Sequence, residues 1–218
     1  MAIVAPVSTL QPASPPSGLT YEEFLEWADE DIHAEWIDGE IIVMSPASSR
    51  HQRLNIYLGT ILECYVDFHQ LGSVFGPPFQ MKPAAELPGR EPDLLFVAAA
   101  NEHRIKDNHL DGPADLAVEI VSRESRTRDT IDKFNEYEAG GVAEYWVLDP
   151  ERQEARFYNL REGRYVETKL SGTFFESAIL KGFRLDVSTL WQKPLPSVWQ
   201  TLDVLGLRGG APEQHYSR

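Results

Sequence analysis

Cysteine is nearly missing from this chain, and its scarcity narrows the chemistry first. With Cys64 alone, no intrachain disulfide and no cysteine-based zinc site can form, which fits a reducing compartment. Long hydrophobic runs are missing too: no apolar stretch reaches the roughly 18 residues that a membrane span needs. The opening MAIVAPVSTLQPASPPSG has no basic start of the secretory kind. These absences point to a soluble, cytoplasmic protein. Positive charge is absent from the first 40 residues, which hold nine Asp and Glu and no Lys or Arg, against a formal net charge of −14 for the whole chain. Such a chain repels phosphate backbones at long range. It is no general nucleic-acid coat, and any polynucleotide contact requires a local basic surface.

What is present is the composition of one ordinary globular domain of 218 residues, 42% hydrophobic and 25% charged. Residues 1 to 18, rich in Pro and Ser and uncharged, read as a flexible arm, 19 to 205 as a single domain, and 206 to 218 as a frayed tail. Thr20 and Glu23 make a capping box for a short acidic helix. The segment AEWI, the turn Asp38-Gly39 and EIIVM read as a hairpin. A long helix is expected from Ser49, with Leu54, Tyr57, Leu58, Ile61, Leu62 and Tyr65 on one stripe and Gly72 as its stop. Strands follow at DLLFVA and LAVEIVS, then a helix from Arg128 to Ala139 closed by Gly140-Gly141, then a strand at EYWVLD. Strand, helix and strand of this kind form a crossover unit. Beyond Asp149-Pro150, ARFYNL, RYVETKL and AILKGFRLDV read as antiparallel strands extending the sheet at an edge. The expected class is α/β, a mixed central sheet flanked by helices, with an N-terminal helix and hairpin and C-terminal antiparallel strands.

Two acids stand out by their surroundings. Glu119 is the only charged residue within LAVEIV, and a carboxylate buried there without a partner would cost several kcal/mol, so something must neutralise it. Asp93 follows Pro92 and precedes LLFVAA, which puts a second acid at the mouth of another apolar strand. Hard oxygen ligands at adjacent strand ends, with neither Cys nor a His pair beside them, suit Mg²⁺ or Mn²⁺. Lys133, on the helix that follows Glu119, is a candidate to stabilise an attacking hydroxide or developing phosphorane charge. Arg126 and Arg128 are candidates to hold a polymer backbone.

The blocks EWIDGEIIVMSPASSRHQ, EPDLLFV and ADLAVEIVSRESRTRDTIDKFNEYEAGGVAEYWVLDP, in that order, resemble the Uma2 family of restriction-endonuclease-like proteins, a branch of the PD-(D/E)xK nuclease superfamily. The resemblance spans roughly residues 20 to 190. It implies a restriction-endonuclease-like core, Mg²⁺-dependent phosphodiester hydrolysis with DNA as the substrate, and often a homodimer. Asp93 and Glu119 match the motif's two metal-binding acids, and Glu35 matches an upstream acid near the metal. The superfamily's usual lysine falls two residues after the second acid, where strand alternation returns it to the same face. Here that position is Val121, and the resemblance assigns the lysine's role to Lys133.

Each of these residues also has a plainer reading. Glu119 could be a structural acid paired with Lys133 or an arginine, and Asp93 a strand-entry cap after proline. Lys133 could be a solvated helix residue paired with Asp129 or Glu136. Glu35 lies beside a hairpin turn, Arg126 and Arg128 could belong to a solvated helix start, and His51 reads as a surface or packing histidine. The same acids would equally serve a hydrolase of small phosphate esters, or survive in a catalytically degenerate nuclease fold kept as a binding or interaction module.

Overall fold

The computed structural model describes residues 15–28 and 32–207. Residues 1–14 of the expected arm and 208–218 of the expected tail lie outside the described residues. Thr20 caps α1 (Tyr21–Trp27) through the capping box with Glu23. The hairpin forms from β1 (Ala34–Ile37) and β2 (Glu40–Val43). Its turn places Asp38 and Gly39 at positive φ, 50° and 87°, as a two-residue hairpin turn demands.

Helix α2 (Ser49–His69) is capped by Ser48 and ends two residues earlier than the glycine suggests: Gln70 takes the left-handed cap conformation. Gly72 instead opens β3 (Gly72–Phe75), where a Cβ would sit 2.0 Å from the Val97 carbonyl oxygen. After β4 (Gln80–Lys82) come β5 (Leu94–Ala98), β6 (His109–Asp111) and β7 (Leu116–Ile120). A π-helical turn over Arg128–Asp132 leads into α3 (Lys133–Gly140), which Gly141 closes with φ of 88°. Then follow β8 (Glu144–Asp149), β9 (Glu154–Arg161), β10 (Arg164–Glu167), β11 (Phe174–Glu176), β12 (Arg184–Asp186) and α4 (Val198–Val204).

The central sheet has six strands in the order β10-β9-β8-β7-β5-β3 and is mixed: β7 and β8 run parallel, as a crossover through α3 requires, and the other pairs are antiparallel. Alternation along each strand divides the interior into two cores. On one face Phe96, Val118, Ile120, Trp146 and Leu148 pack with Leu54, Leu58, Ile61 and Leu62 of α2. On the other, Leu95, Val97, Ala117, Val121, Tyr145 and Val147 pack with Tyr137 of α3.

Two further departures from expectation concern the C-terminal third. The AILKGFRLDV region does not extend the central sheet, whose edge is β10. It supplies β12, which pairs with β11 as a separate hairpin. The reason is its apolar content: Phe175, Phe183 and Leu185 are buried in the α2-side core against Trp146, which an exposed edge position would forfeit. Helix α4, too short and irregular to be legible as a periodic stripe, packs on α2, with the Tyr57 hydroxyl 2.7 Å from Thr201 Oγ1. No helix among the described residues is long and apolar enough to cross a membrane.

Candidate active site

The antiparallel register of β5 with β7 sets Leu94 opposite Val118 and Leu95 opposite Ala117. Extended one residue beyond the strand, the same register brings Asp93 opposite Glu119, and its charge acts on that carboxyl. Side chains so paired share a face with Cβ atoms about 4.5–5.5 Å apart. Two acids that are 26 positions apart in sequence thus become cross-strand neighbours at the end of the sheet. The Asp93 carboxylate also closes the ladder, because its Oδ2 accepts from Ile120 N at 2.7 Å.

Helix α3 brings its contribution to this face of β7. Lys133 Nζ lies 2.8 Å from Glu119 Oε1 and 2.9 Å from Glu35 Oε1. One turn on, the Tyr137 hydroxyl donates to the same Glu119 Oε1 at 2.9 Å. One turn back, across the π-helical turn, Asp129 Oδ1 is 3.7 Å from the ammonium. Glu35 reaches the cluster from β1 and is itself clamped by Arg90, whose Nη1 donates to Oε2 at 2.9 Å. Arg128 Nε lies 3.6 Å from that same oxygen.

Burial makes these charges act strongly on one another. The Lys133 side chain is 2% exposed and Glu35 0%. Burial by itself would raise the Glu35 carboxyl, but Lys133, Arg90 and Arg128 together pull it down to about 2. For Glu119, burial is the dominant influence and raises its pKa well above the carboxylate range; Lys133 opposes this, while Asp129 and Asp93 add to it. Asp129 is raised for the same reason, burial, with Lys133 opposing. Burial works against the Lys133 ammonium, yet Glu119, Glu35 and Asp129 outweigh it and hold its pKa well above the ordinary lysine value.

The site opens into a cleft of about 1080 Å³ lined by Asp93, Glu119, Asp129, Lys133 and Arg128, by His33 and Glu91, and by Ser48, His51, Gln52 and Asn55 from the start of α2. His51 Nε2 lies 3.2 Å from Asp93 Oδ2. Burial disfavours its protonated form, but the hydrogen bond and charge of Asp93 prevail and raise its pKa. Across the cleft, His33 Nδ1 and Gln80 Nε2 contact Glu91 at 2.9 and 3.1 Å.

Asp93, Glu119, Lys133 and Glu35 are therefore brought together, and Arg128 lines the same cleft. Arg126 is not: it is spent on Asp149 at 3.0 Å and Glu151 at 2.9 Å, outside the cleft. Glu35 is wholly buried, does not line the cleft, and reaches it through Lys133 and Arg128. Val121 points to the same face as Glu119 but is 2% exposed and enclosed by the α3-side core. A lysine there would have to be buried among apolar groups, whereas α3 delivers one directly onto the Glu119 oxygen.

Four residues of the site escaped the sequence reading of the functional set. Tyr137 and Asp129 carried a signal, since both stand four positions from Lys133 on a helix. His51 carried only its place in the first turn of a helix. Arg90, in a Gly-Arg-Glu-Pro loop segment, looks solvent-exposed, and its 2% exposure is a tertiary result.

Among the described residues, no three His, Cys, Asp or Glu side chains converge as a complete metal cage. The donor set nevertheless suits a hard divalent cation that keeps several of its waters. Contacts to Asp93 fall on Oδ2 and those to Glu119 on Oε1. That leaves Asp93 Oδ1 and Glu119 Oε2 as hard oxygens without a donor among the described residues. The mutual repulsion that helps to raise Glu119 is what a divalent cation between them would relieve.

A mixed sheet flanked by helices, with paired carboxylates and a lysine at its end, defines a nuclease-like α/β fold. The family model described as "Uma2: Putative restriction endonuclease" matches residues 21–188, and the chain belongs to that family. A crystal structure of a putative nuclease belonging to DUF820 from Anabaena variabilis superposes with a TM-score of 0.65 at 15% identity, covering 79% of this chain and 97% of that one. At that identity the likeness shows the fold. No curated protein matches the chain.

Proposed function

We propose that this protein is a Mg²⁺-dependent endonuclease that hydrolyses DNA phosphodiester bonds, with Asp93 and Glu119 as the metal ligands. The observation carrying this reading is the cross-strand placement of Asp93 and Glu119 at a cleft mouth, with Lys133 Nζ 2.8 Å from Glu119. Mn²⁺ would serve in place of Mg²⁺, being bound by the same hard oxygens. When bound, the ion would supply Lewis acidity and a water activated at neutral pH.

The remaining roles follow from the charge states of the chain's own groups. Lys133 stays cationic, so it cannot accept the proton of an attacking water. Its ammonium is ion-paired with Glu35 and Glu119 and lines the cleft, where its charge would stabilise an oxygen that gains negative charge in the transition state. Glu35, held at about 2, is too weak a base to take a proton at neutral pH, and its work is to aim Lys133. Arg128, 23% exposed at the cleft, is suited to a scissile or adjacent phosphate. The reading extends to a cytoplasmic homodimer, the state the family resemblance implies, and sedimentation at micromolar concentration checks the dimer.

Supercoiled plasmid and single-stranded DNA incubated with Mg²⁺ or Mn²⁺ should both be cut, and Glu119→Ala should abolish cutting. Cleavage that persists in Glu119→Ala refutes the assignment. A second reading, a nuclease fold kept as a binding module, is favoured by one observation: Val121 stands where the superfamily carries its lysine. Calorimetric titration separates the two, since an enzyme takes up Mn²⁺ and loses that uptake in Asp93→Ala, whereas a degenerate module takes up none.

A further inference from the structure

We propose that Arg90 is a positioning residue for the Lys133 ammonium, acting through Glu35. This rests on the nuclease reading for its catalytic consequence, though its geometric content stands without it. The segment carrying Arg90 is laced into the fold on two sides. Gly89 exchanges both backbone hydrogen bonds with Trp36, at 2.9 Å each, and Arg90 exchanges both with Met81, at 2.9 and 2.7 Å. The guanidinium therefore starts from a backbone fixed beside β1, next to Glu35.

Its three donor atoms then divide between two carboxylates. Nε and Nη2 form a fork on Glu136 at 2.7 and 2.6 Å, and Nη1 donates to Glu35 Oε2 at 2.9 Å. Glu136 lies on α3, one turn from Lys133, so the fork fixes the helix that carries the ammonium. The bond to Glu35 settles which of its oxygens faces Lys133. With Oε2 held by Arg90, only Oε1 meets Nζ, at 2.9 Å. The result is a row of alternating charge, Glu136, Arg90, Glu35, Lys133 and Glu119, buried from Arg90 inward, whose last member faces the cleft.

Glu35 and Glu119 compete for one ammonium at nearly equal distances, 2.9 and 2.8 Å. Arg90 neutralises part of the Glu35 charge and so keeps that competition balanced. Without it, Glu35 keeps only the more distant Arg128 besides Lys133, and the ammonium is drawn off Glu119 toward Glu35. Stability alone does not account for a buried ionic row, because apolar side chains of similar volume serve packing as well or better.

The test compares Arg90→Met and Glu136→Gln with the wild type in two measurements: the ¹⁵N-lysine ammonium spectrum of the metal-free protein, and kcat and KM for plasmid cleavage. Arg90→Met should displace the Lys133 ammonium signal and lower kcat on the order of tenfold to a hundredfold, the scale of a misplacement near 1 Å, with KM little changed. Glu136→Gln keeps the side-chain shape, guards against a folding failure of the first variant, and should move both readouts the same way by less. Wild-type kcat in both variants with an unmoved ammonium signal overturns the proposal, as does a loss shared equally by kcat and the folded fraction. If the wild type cuts no DNA, the nuclease reading fails, and the ammonium spectrum of the metal-free variants still decides whether Arg90 positions Lys133.

Discussion

Replacing Glu35 by Gln keeps the shape of the side chain but turns one accepting oxygen into a donor and removes the charge that Lys133, Arg90 and Arg128 share. Its folded pKa of about 2 lies below the ordinary value of 4.5, so ionised Glu35 favours the folded state. The shift corresponds to about 3 kcal/mol at neutral pH. A depressed carboxyl contributes stability that is present in full above its unfolded pKa and is lost as pH falls toward the folded one. The loss therefore lies between about pH 4.5 and pH 2, and by about pH 3 the contribution has dropped by roughly 2 kcal/mol. Urea unfolding of the wild type and Glu35→Gln at a series of pH values reads this directly. The stability gap between the two proteins should be about 3 kcal/mol near pH 7 and shrink to less than half of that near pH 3. Glu119 and Asp129, whose raised pKa values add slopes of opposite sign, share Lys133 with Glu35, so the difference between the two proteins reads the response of the whole cluster to loss of the Glu35 charge. A gap under about 1 kcal/mol at neutral pH, or one that stays flat down to pH 3, would show that the three cations do not hold Glu35 as described.

Two further substitutions probe the architecture around the site. Val121→Lys, which restores the superfamily's usual lysine position, should destabilise the protein by about 2–4 kcal/mol through burial of an ammonium in the α3-side core, and should not rescue Lys133→Met. Thermal unfolding and plasmid cleavage check both halves. Gly89→Ala would bring a Cβ to 2.2 Å from the Tyr21 ring. Moving that ring should cost about 1–3 kcal/mol, and an unchanged melting temperature would refute the contact.

Much of the frame is legible in the sequence because its signals are local. The capping box at Thr20, the Asp38-Gly39 turn, the Leu54 to Tyr65 stripe and the apolar strand around Glu119 each fit within a dozen residues, and each forms. The Asp93 and Glu119 pair is legible as a contradiction, two acids where apolar neighbours predict none. The partners of those acids are not local. Arg90 is 46 positions from Glu136 and 55 from Glu35, and nothing in a loop arginine announces its burial. The end of α2 at Gln70 in place of Gly72 reflects competition between two left-handed candidates, decided by the close approach that β3 makes to Val97. The separate β11/β12 hairpin depends on which apolar face needs covering, and that is known only once α2 has docked.

Asp93 belongs to two structures at once. The carboxylate that would hold the metal is also the last rung between β5 and β7, through Ile120 N. The sheet's end and the proposed metal site thus share one side chain, and the substitution chosen at 93 decides which of the two it reports on. Asparagine keeps an oxygen for the rung and gives up the charge, while alanine gives up both. The same coupling runs the other way: an ion seated on Asp93 would brace the strand pair beneath it, so protection of the Ile120 amide from hydrogen exchange becomes a gauge of occupancy at the site.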